Sequence, residues 1–189
     1  MTGRTTPSQT VGPYFSIGFS WLERRDLTEA ATDGMRITIH GRVLDGEGQP
    51  VPDAVLEIWQ ADTRGRYAHS EDANDPVPAK SFFGFGRVSV NDQGEFRFTT
   101  IKPGCVPGTD GRQQAPHLEV SVFMRGLLRR LITRIYFADD PANQKDAVLS
   151  LVPAHRRQTL IALPSPAEPE MFVWDVHLQG DHETVFFDY

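Results

Sequence analysis

A single cysteine, Cys105, stands in the 189 residues, so no disulfide can form within the chain. That scarcity fits a reducing compartment, and a cytoplasmic location is expected. No run approaches the ~18 consecutive apolar residues of a membrane span, so no membrane partner is expected. The opening residues MTGRTTPSQTVGPYF lack a long apolar core, and no secretory leader is read there. A basic surplus is missing too. Lys and Arg number 19 against 25 Asp and Glu, a net charge of −6, which argues against nucleic acid or anionic lipid as partner. The basic run RGLLRRLITR is local and interleaved with Leu and Ile, and reads as strand or turn with solvated arginines. No repeat or low-complexity tract is found. The length suits one domain with a proper core and a short arm.

What is present is β-patterning. Residues 1–34 form an arm without clean periodicity, holding Pro7, Gly12, Pro13 and Gly18 among the aromatics Tyr14, Phe15, Phe19 and Trp21. Such an arm needs a surface to pack on, in its own domain or on another chain. Residues 35–189 form the domain proper. RITIHGRVLD alternates through Ile37, Ile39 and Val43, and AVLEIWQAD is apolar enough for a strand buried on both faces. GRVSV, the turn NDQG and GEFRFTT read as a hairpin with Phe96 and Phe98 on one side. HLEVSVFM, TRIYFAD, TLIAL and MFVWDVHL complete six to eight strands. Gly/Pro turns between them predict an all-β fold, an antiparallel β-sandwich with an extended N-terminal arm. One short helix is predicted in DDPANQKDAVLSLV, with Asp140 as N-cap and Pro141 at the first helical position.

In APHLEVSV, Leu118, Val120 and Val122 point one way and His117, Glu119 and Ser121 the other. His117 and Glu119 therefore share a face one pleat apart, a spacing that can grip a metal ion. They follow a long Gly/Pro loop, TIKPGCVPGTDGRQQ, of the kind that carries sites on β-folds. The closing HLQGDHETVFF gathers His177, Asp181, His182 and Glu183, read here as a polar loop rather than a metal cluster.

ITIHGRVLDGEGQPVPDAVLEIWQADTRGRY resembles the signature region of the intradiol ring-cleaving dioxygenases. TIKPG, the His117 strand, TRIYFADDP and the closing HLQGDHETVFFDY agree with that family in order and spacing, so the resemblance covers nearly the whole chain. It implies a β-sandwich holding a non-haem ferric ion through two tyrosines and two histidines. A catechol binds there through both oxygens before O2 is inserted between the two hydroxyl-bearing carbons. Against the family pattern, Val106 replaces the tyrosine after KPG, and Glu119 replaces the second histidine. The stretch AHSEDANDPVPAKSFF has no tyrosine to serve as the other. Val106, His117 and Glu119 thus read as the relic of a metal site, with no metal held by this chain and no catalytic residue of its own.

Within the family the chain resembles the iron-free member of a two-chain enzyme. That implies a homologous iron-bearing β chain as partner, Fe(III) bound by that β chain, and protocatechuate and O2 as substrates giving 3-carboxy-cis,cis-muconate. The resemblance of TPSQTVGPYF to the arm of such chains carries Thr10, Gly12, Pro13 and Tyr14 into a substrate-proximal role. It points to Arg134 of TRIYF for the substrate carboxylate, with Arg129 and Arg130 as neighbouring competitors. Two other readings stay open: a transthyretin-like β-sandwich module that binds without catalysis, and a divergent metalloenzyme using His117, Glu119 and a third ligand.

Overall fold

The computed structural model describes residues 5–28, 33–70, 82–108 and 111–188. Helix α1 (Tyr14–Phe19) and a 3-10 turn at Ser20–Leu22 precede the first strand. The strands are β1 (Arg36–Leu44), β2 (Val55–Trp59), β3 (Phe85–Ser89), β4 (Glu95–Ile101), β5 (Val106–Pro107), β6 (Gln113–Gln114), β7 (His117–Phe123) and β8 (Leu131–Phe137). A 3-10 turn at Pro141–Lys145, helix α2 (Ala147–Leu151) and a 3-10 turn at Ala154–Leu160 follow. β9 (Ile161–Pro164), β10 (Met171–Val173) and β11 (Val176–His177) close the chain. The fold is mostly β. Among the described residues no helix is long and apolar enough to cross a membrane.

Nine strands form one continuous sheet in the order β11-β1-β10-β9-β8-β7-β2-β3, with β4 on the other side of β1. β9 is the joint, pairing parallel with β8 and antiparallel with β10. The sheet folds over itself around one core. Ile37, Ile39, Phe96 and Phe98 from β1 and β4 meet Leu56, Ile58, Leu118, Val120 and Ile135 from β2, β7 and β8. Burial of this apolar surface, at ~25 cal/mol per Å² removed from water, is the main force holding the layers together.

The alternation in β7 holds: Leu118, Val120 and Val122 are fully buried in the core, and His117 and Glu119 lie on the outer face. The expected β3–β4 hairpin does not form. The turn is present, with Asn91 Oδ1 accepting from the backbone N–H groups of Gln93 and Glu95. After it the chain crosses over, so β3 pairs with β2 and β4 with β1. Phe96 and Phe98 still share a face, because alternation is local while pairing is not.

The expected single helix over residues 140–151 is divided. Asp140 caps the 3-10 turn through Ala142 N–H, with Pro141 at its start. Asp146 then adopts an extended backbone and caps α2 through Leu149 N–H. Two caps in succession make two short elements, since a capping residue takes non-helical dihedrals. The MFVWDVHL strand is also broken, into β10 and β11, both parallel to β1. Trp174 N–H donates to the His40 carbonyl and Arg42 N–H to Asp175 Oδ1 across this break. Gly41 lies beneath it, where a Cβ would collide with the Trp174 carbonyl.

Candidate functional site

Two groups of polar residues occupy opposite ends of the outer face of β7 and β8. The first is built on the arm. Thr10 Oγ1 accepts a 2.7 Å hydrogen bond from Gly126 N–H in the β7–β8 hairpin, where Gly126 has a φ of +90° that favours glycine. Phe15 of α1 packs against Phe123 with ring centroids 5.3 Å apart, and the Arg87 guanidinium lies 4.6 Å over Phe19. Arg24 and Arg87 exchange backbone hydrogen bonds, and Leu27, wholly buried, ties the arm into the core. With Phe15 and Phe19 turned inward, the opposite side of the arm carries Tyr14, Ile17 and Trp21, which are 82%, 64% and 78% exposed. Gly12 and Pro13 are exposed beside them.

The arginines at this end are those of the hairpin. Arg125 precedes the Gly126 anchor, and Asp53 holds its Nε at 2.8 Å. Arg129 and Arg130 line a shallow depression of about 180 Å³ with Gln9 and Val11. Arg134 is not among them. It lies three residues past Leu131 along β8, about 10 Å at the usual rise per strand residue, and is 8% exposed. The sequence offered no sign of Arg125, whose place beside the arm follows from the Thr10–Gly126 bond.

The second group surrounds Arg134. Its Nη1 donates to Gln114 Oε1 at 2.7 Å and reaches the Tyr136 hydroxyl at 3.5 Å. The Tyr136 hydroxyl donates to Asp146 Oδ1 at 3.2 Å. Asp146, wholly buried, also accepts from Ala115 N–H at 2.7 Å and Leu149 N–H at 2.6 Å. One carboxylate thus joins β8, α2 and the segment leading into β7. Sequence reading overlooked Asp146 and Tyr136. A second N-cap pattern, Asp146 before the apolar AVL, was the available signal.

His117, Glu119 and Val106, the positions compared with the family's metal ligands, lie near this network. His117 is 2% exposed, and its Nδ1 lies 2.8 Å from the Ala115 carbonyl, so Nδ1 carries the proton. Burial pushes the His117 pKa down to about 4, and the Arg134 charge adds to that, so the ring is neutral at pH 7. Burial pushes the Tyr136 pKa far up, so its phenol stays protonated. Glu119 stands directly across the strand pair from Arg134, and Val106, buried in the β5–β6 hairpin, is apolar.

A ferric ion is hard and asks for anionic oxygen donors. Here Val106 supplies none, Tyr136 is a protonated phenol already bonded to Asp146, and a guanidinium faces Glu119. Among the described residues no group of three or more His, Cys, Asp or Glu is placed to hold a metal. The residues present do not fit the iron of the family. Most of the stretch expected to bear the second tyrosine ligand, residues 71–81, lies outside the described residues. His177 and His182 face each other at 6.2 Å, beside a polar loop.

A dioxygenase family model matches residues 11–180. The chain belongs to the intradiol dioxygenases. It is 41% identical to the protocatechuate 3,4-dioxygenase alpha chain of Burkholderia cepacia, covering 99% of this chain and 98% of that one. The beta chain of the same organism's enzyme is 38% identical, over 72% of this chain and 61% of its own length. Among solved structures, the dioxygenase domain of a dioxygenase carbohydrate-binding protein fusion from Streptomyces sp. SirexAA-E superimposes with a TM-score of 0.63 at 28% identity. That match covers 84% of this chain and 88% of the other.

Proposed function

We propose that the chain is the iron-free, alpha-type subunit of a protocatechuate 3,4-dioxygenase, working with a homologous beta chain that holds the ferric ion. The observation that carries this is the combination of near-complete likeness to an alpha chain with a relic centre lacking the donor set. The complex converts protocatechuate and O2 to 3-carboxy-cis,cis-muconate in the cytoplasm. This chain's part is to shape and charge the substrate pocket. We read the curled sheet as the two-layer sandwich of the family, and residues 1–34 as an arm that packs on the partner.

The arm offers Thr10, Gly12, Pro13 and Tyr14 to the partner's pocket. Thr10 fixes the arm on the hairpin, and Pro13 stiffens the approach to α1. Exposed Tyr14 presents a flat ring and a hydroxyl to the substrate. Arg129 and Arg130, beside the arm, add positive charge to this end of the chain. Arg134, deeper along β8, is the guanidinium we assign to the substrate carboxylate, with Arg129 and Arg130 as its competitors.

The test is reconstitution of the full chain with an iron-bearing homologous chain. The pair is expected to consume O2 with protocatechuate, and neither chain to do so alone. Tyr14→Ala is expected to raise KM about tenfold, a loss of ~1.4 kcal/mol of binding, at unchanged iron content. Failure of the two chains to associate, or full activity of the beta chain alone, contradicts the reading. The alternative, a binding module without catalysis, predicts a stable monomer despite the exposed Tyr14, Ile17 and Trp21.

A further inference from the structure

Ala115 lies between Gln114 of β6 and the start of β7, and both of its backbone groups are held. Its N–H donates to Asp146 Oδ2 at 2.7 Å, and its carbonyl lies 2.8 Å from His117 Nδ1. Gln114 is therefore carried on a segment fixed at the residue beside it. It is paired with Val106 across the β5–β6 hairpin, and its Oε1 accepts from Arg134 Nη1 at 2.7 Å. The other oxygen of Asp146, Oδ1, accepts from the Tyr136 hydroxyl at 3.2 Å. A phenol has one proton to donate, so giving it to Asp146 turns the oxygen lone pairs toward Arg134 Nη1, 3.5 Å away. Asp146 and Tyr136 are wholly buried, where such a chain of bonds is stronger than in water.

We propose that Asp146 is a positioning residue for Arg134, acting along two routes: through the Tyr136 hydroxyl, and through the segment that carries Gln114. Its purpose follows from the assignment of Arg134 to the substrate carboxylate, on which this inference rests. A guanidinium donates through a rigid planar fork, so its aim decides which carboxylate geometry it meets. Holding the fork beforehand lowers the ordering cost of binding. Arg134 and Gln114 both border a cavity of about 670 Å³, so the aimed group stands at the edge of open space. His117 shares the task, because its ring holds the carbonyl of the residue that Asp146 holds by the N–H.

The first readout is nitrogen NMR of the full chain alone, which is independent of assembly. The Nη signals of Arg134 are identified as those lost in Arg134→Leu. They are expected to be resolved in the natural chain and to broaden in Asp146→Asn, Gln114→Leu and Tyr136→Phe. Gln114 is only half-buried and Tyr136→Phe removes a single atom, so these two variants report even if Asp146→Asn fails to fold. The second readout is KM in the complex with an iron-bearing partner, for protocatechuate and for catechol, which lacks the carboxylate. Relative to catechol, the protocatechuate KM is expected to rise about tenfold in Asp146→Asn and Gln114→Leu and about threefold in Tyr136→Phe. None of these should add to the effect of Arg134→Leu, because all act through that group. An unchanged protocatechuate KM in Arg134→Leu contradicts the assignment of Arg134 itself and removes the proposal with it. With that effect present, resolved Nη signals in every variant overturn the positioning role alone. So do equal KM changes for the two substrates, or changes that add fully to that of Arg134→Leu.

Discussion

The two ends of the β7–β8 pair differ in what they leave unfinished. At the hairpin end, hydrogen bonds and the Phe15–Phe123 contact pin the arm, yet Tyr14, Ile17 and Trp21 remain in water. At the other end, Asp146, Tyr136, Arg134 and His117 are buried and bonded to one another or to backbone. The first end leaves large aromatic and aliphatic side chains exposed. The second is a buried polar network that ties β8, α2 and the entry to β7 together.

The largest expected effect comes from the closed end. Asp146→Ala removes the acceptor of three hydrogen bonds and leaves buried donors without partners, at a cost of about 4 kcal/mol in urea unfolding. The His117 contribution depends on pH. Its folded pKa of about 4 lies below the ordinary 6.5, so the neutral ring stabilises the fold. That stability is complete above pH 6.5 and is lost as pH falls toward 4, to a total of roughly 3 kcal/mol. A His117→Phe variant should show a flatter stability profile over that window.

The open end should respond in assembly rather than in folding. Trp21→Ala is expected to weaken association with the iron-bearing partner by about 2 kcal/mol. Urea unfolding of the chain alone should move by less than ~0.5 kcal/mol. An equal effect on both would erase the contrast between the two ends. Tyr136→Phe, which removes one hydroxyl from the network, is expected to cost about 1 kcal/mol in unfolding and nothing in association. The smallest effect is that of Thr10→Val, which frees the arm from Gly126. It should weaken association by about 0.5 kcal/mol, read by a sedimentation or titration assay.

Alternation was the most legible feature. It put His117 and Glu119 on the outer face and Leu118 in the core, because side-chain period is a local property of a strand. The absence of a donor at Val106 was legible too, since a valine side chain has none. Strand pairing was not: the NDQG turn was plain, but nothing near it specifies that β3 and β4 part company. The depth of Arg134 and its distance from the arm were equally hidden. They depend on β5–β6, α2 and the C-terminal segment converging from distant parts of the chain. Asp146 looked like an ordinary helix residue because its three hydrogen bonds span residues 115 to 149.

The most direct measurement is iron content with the visible spectrum, first of the chain purified alone and then of the chain assembled with its beta-type partner. Tyrosinate bound to ferric iron absorbs visible light, so both readouts report the same centre. A colourless, iron-free chain that joins a coloured, protocatechuate-consuming complex is the predicted result. Stoichiometric iron and colour in the chain alone would contradict it, and would make Glu119 a living ligand.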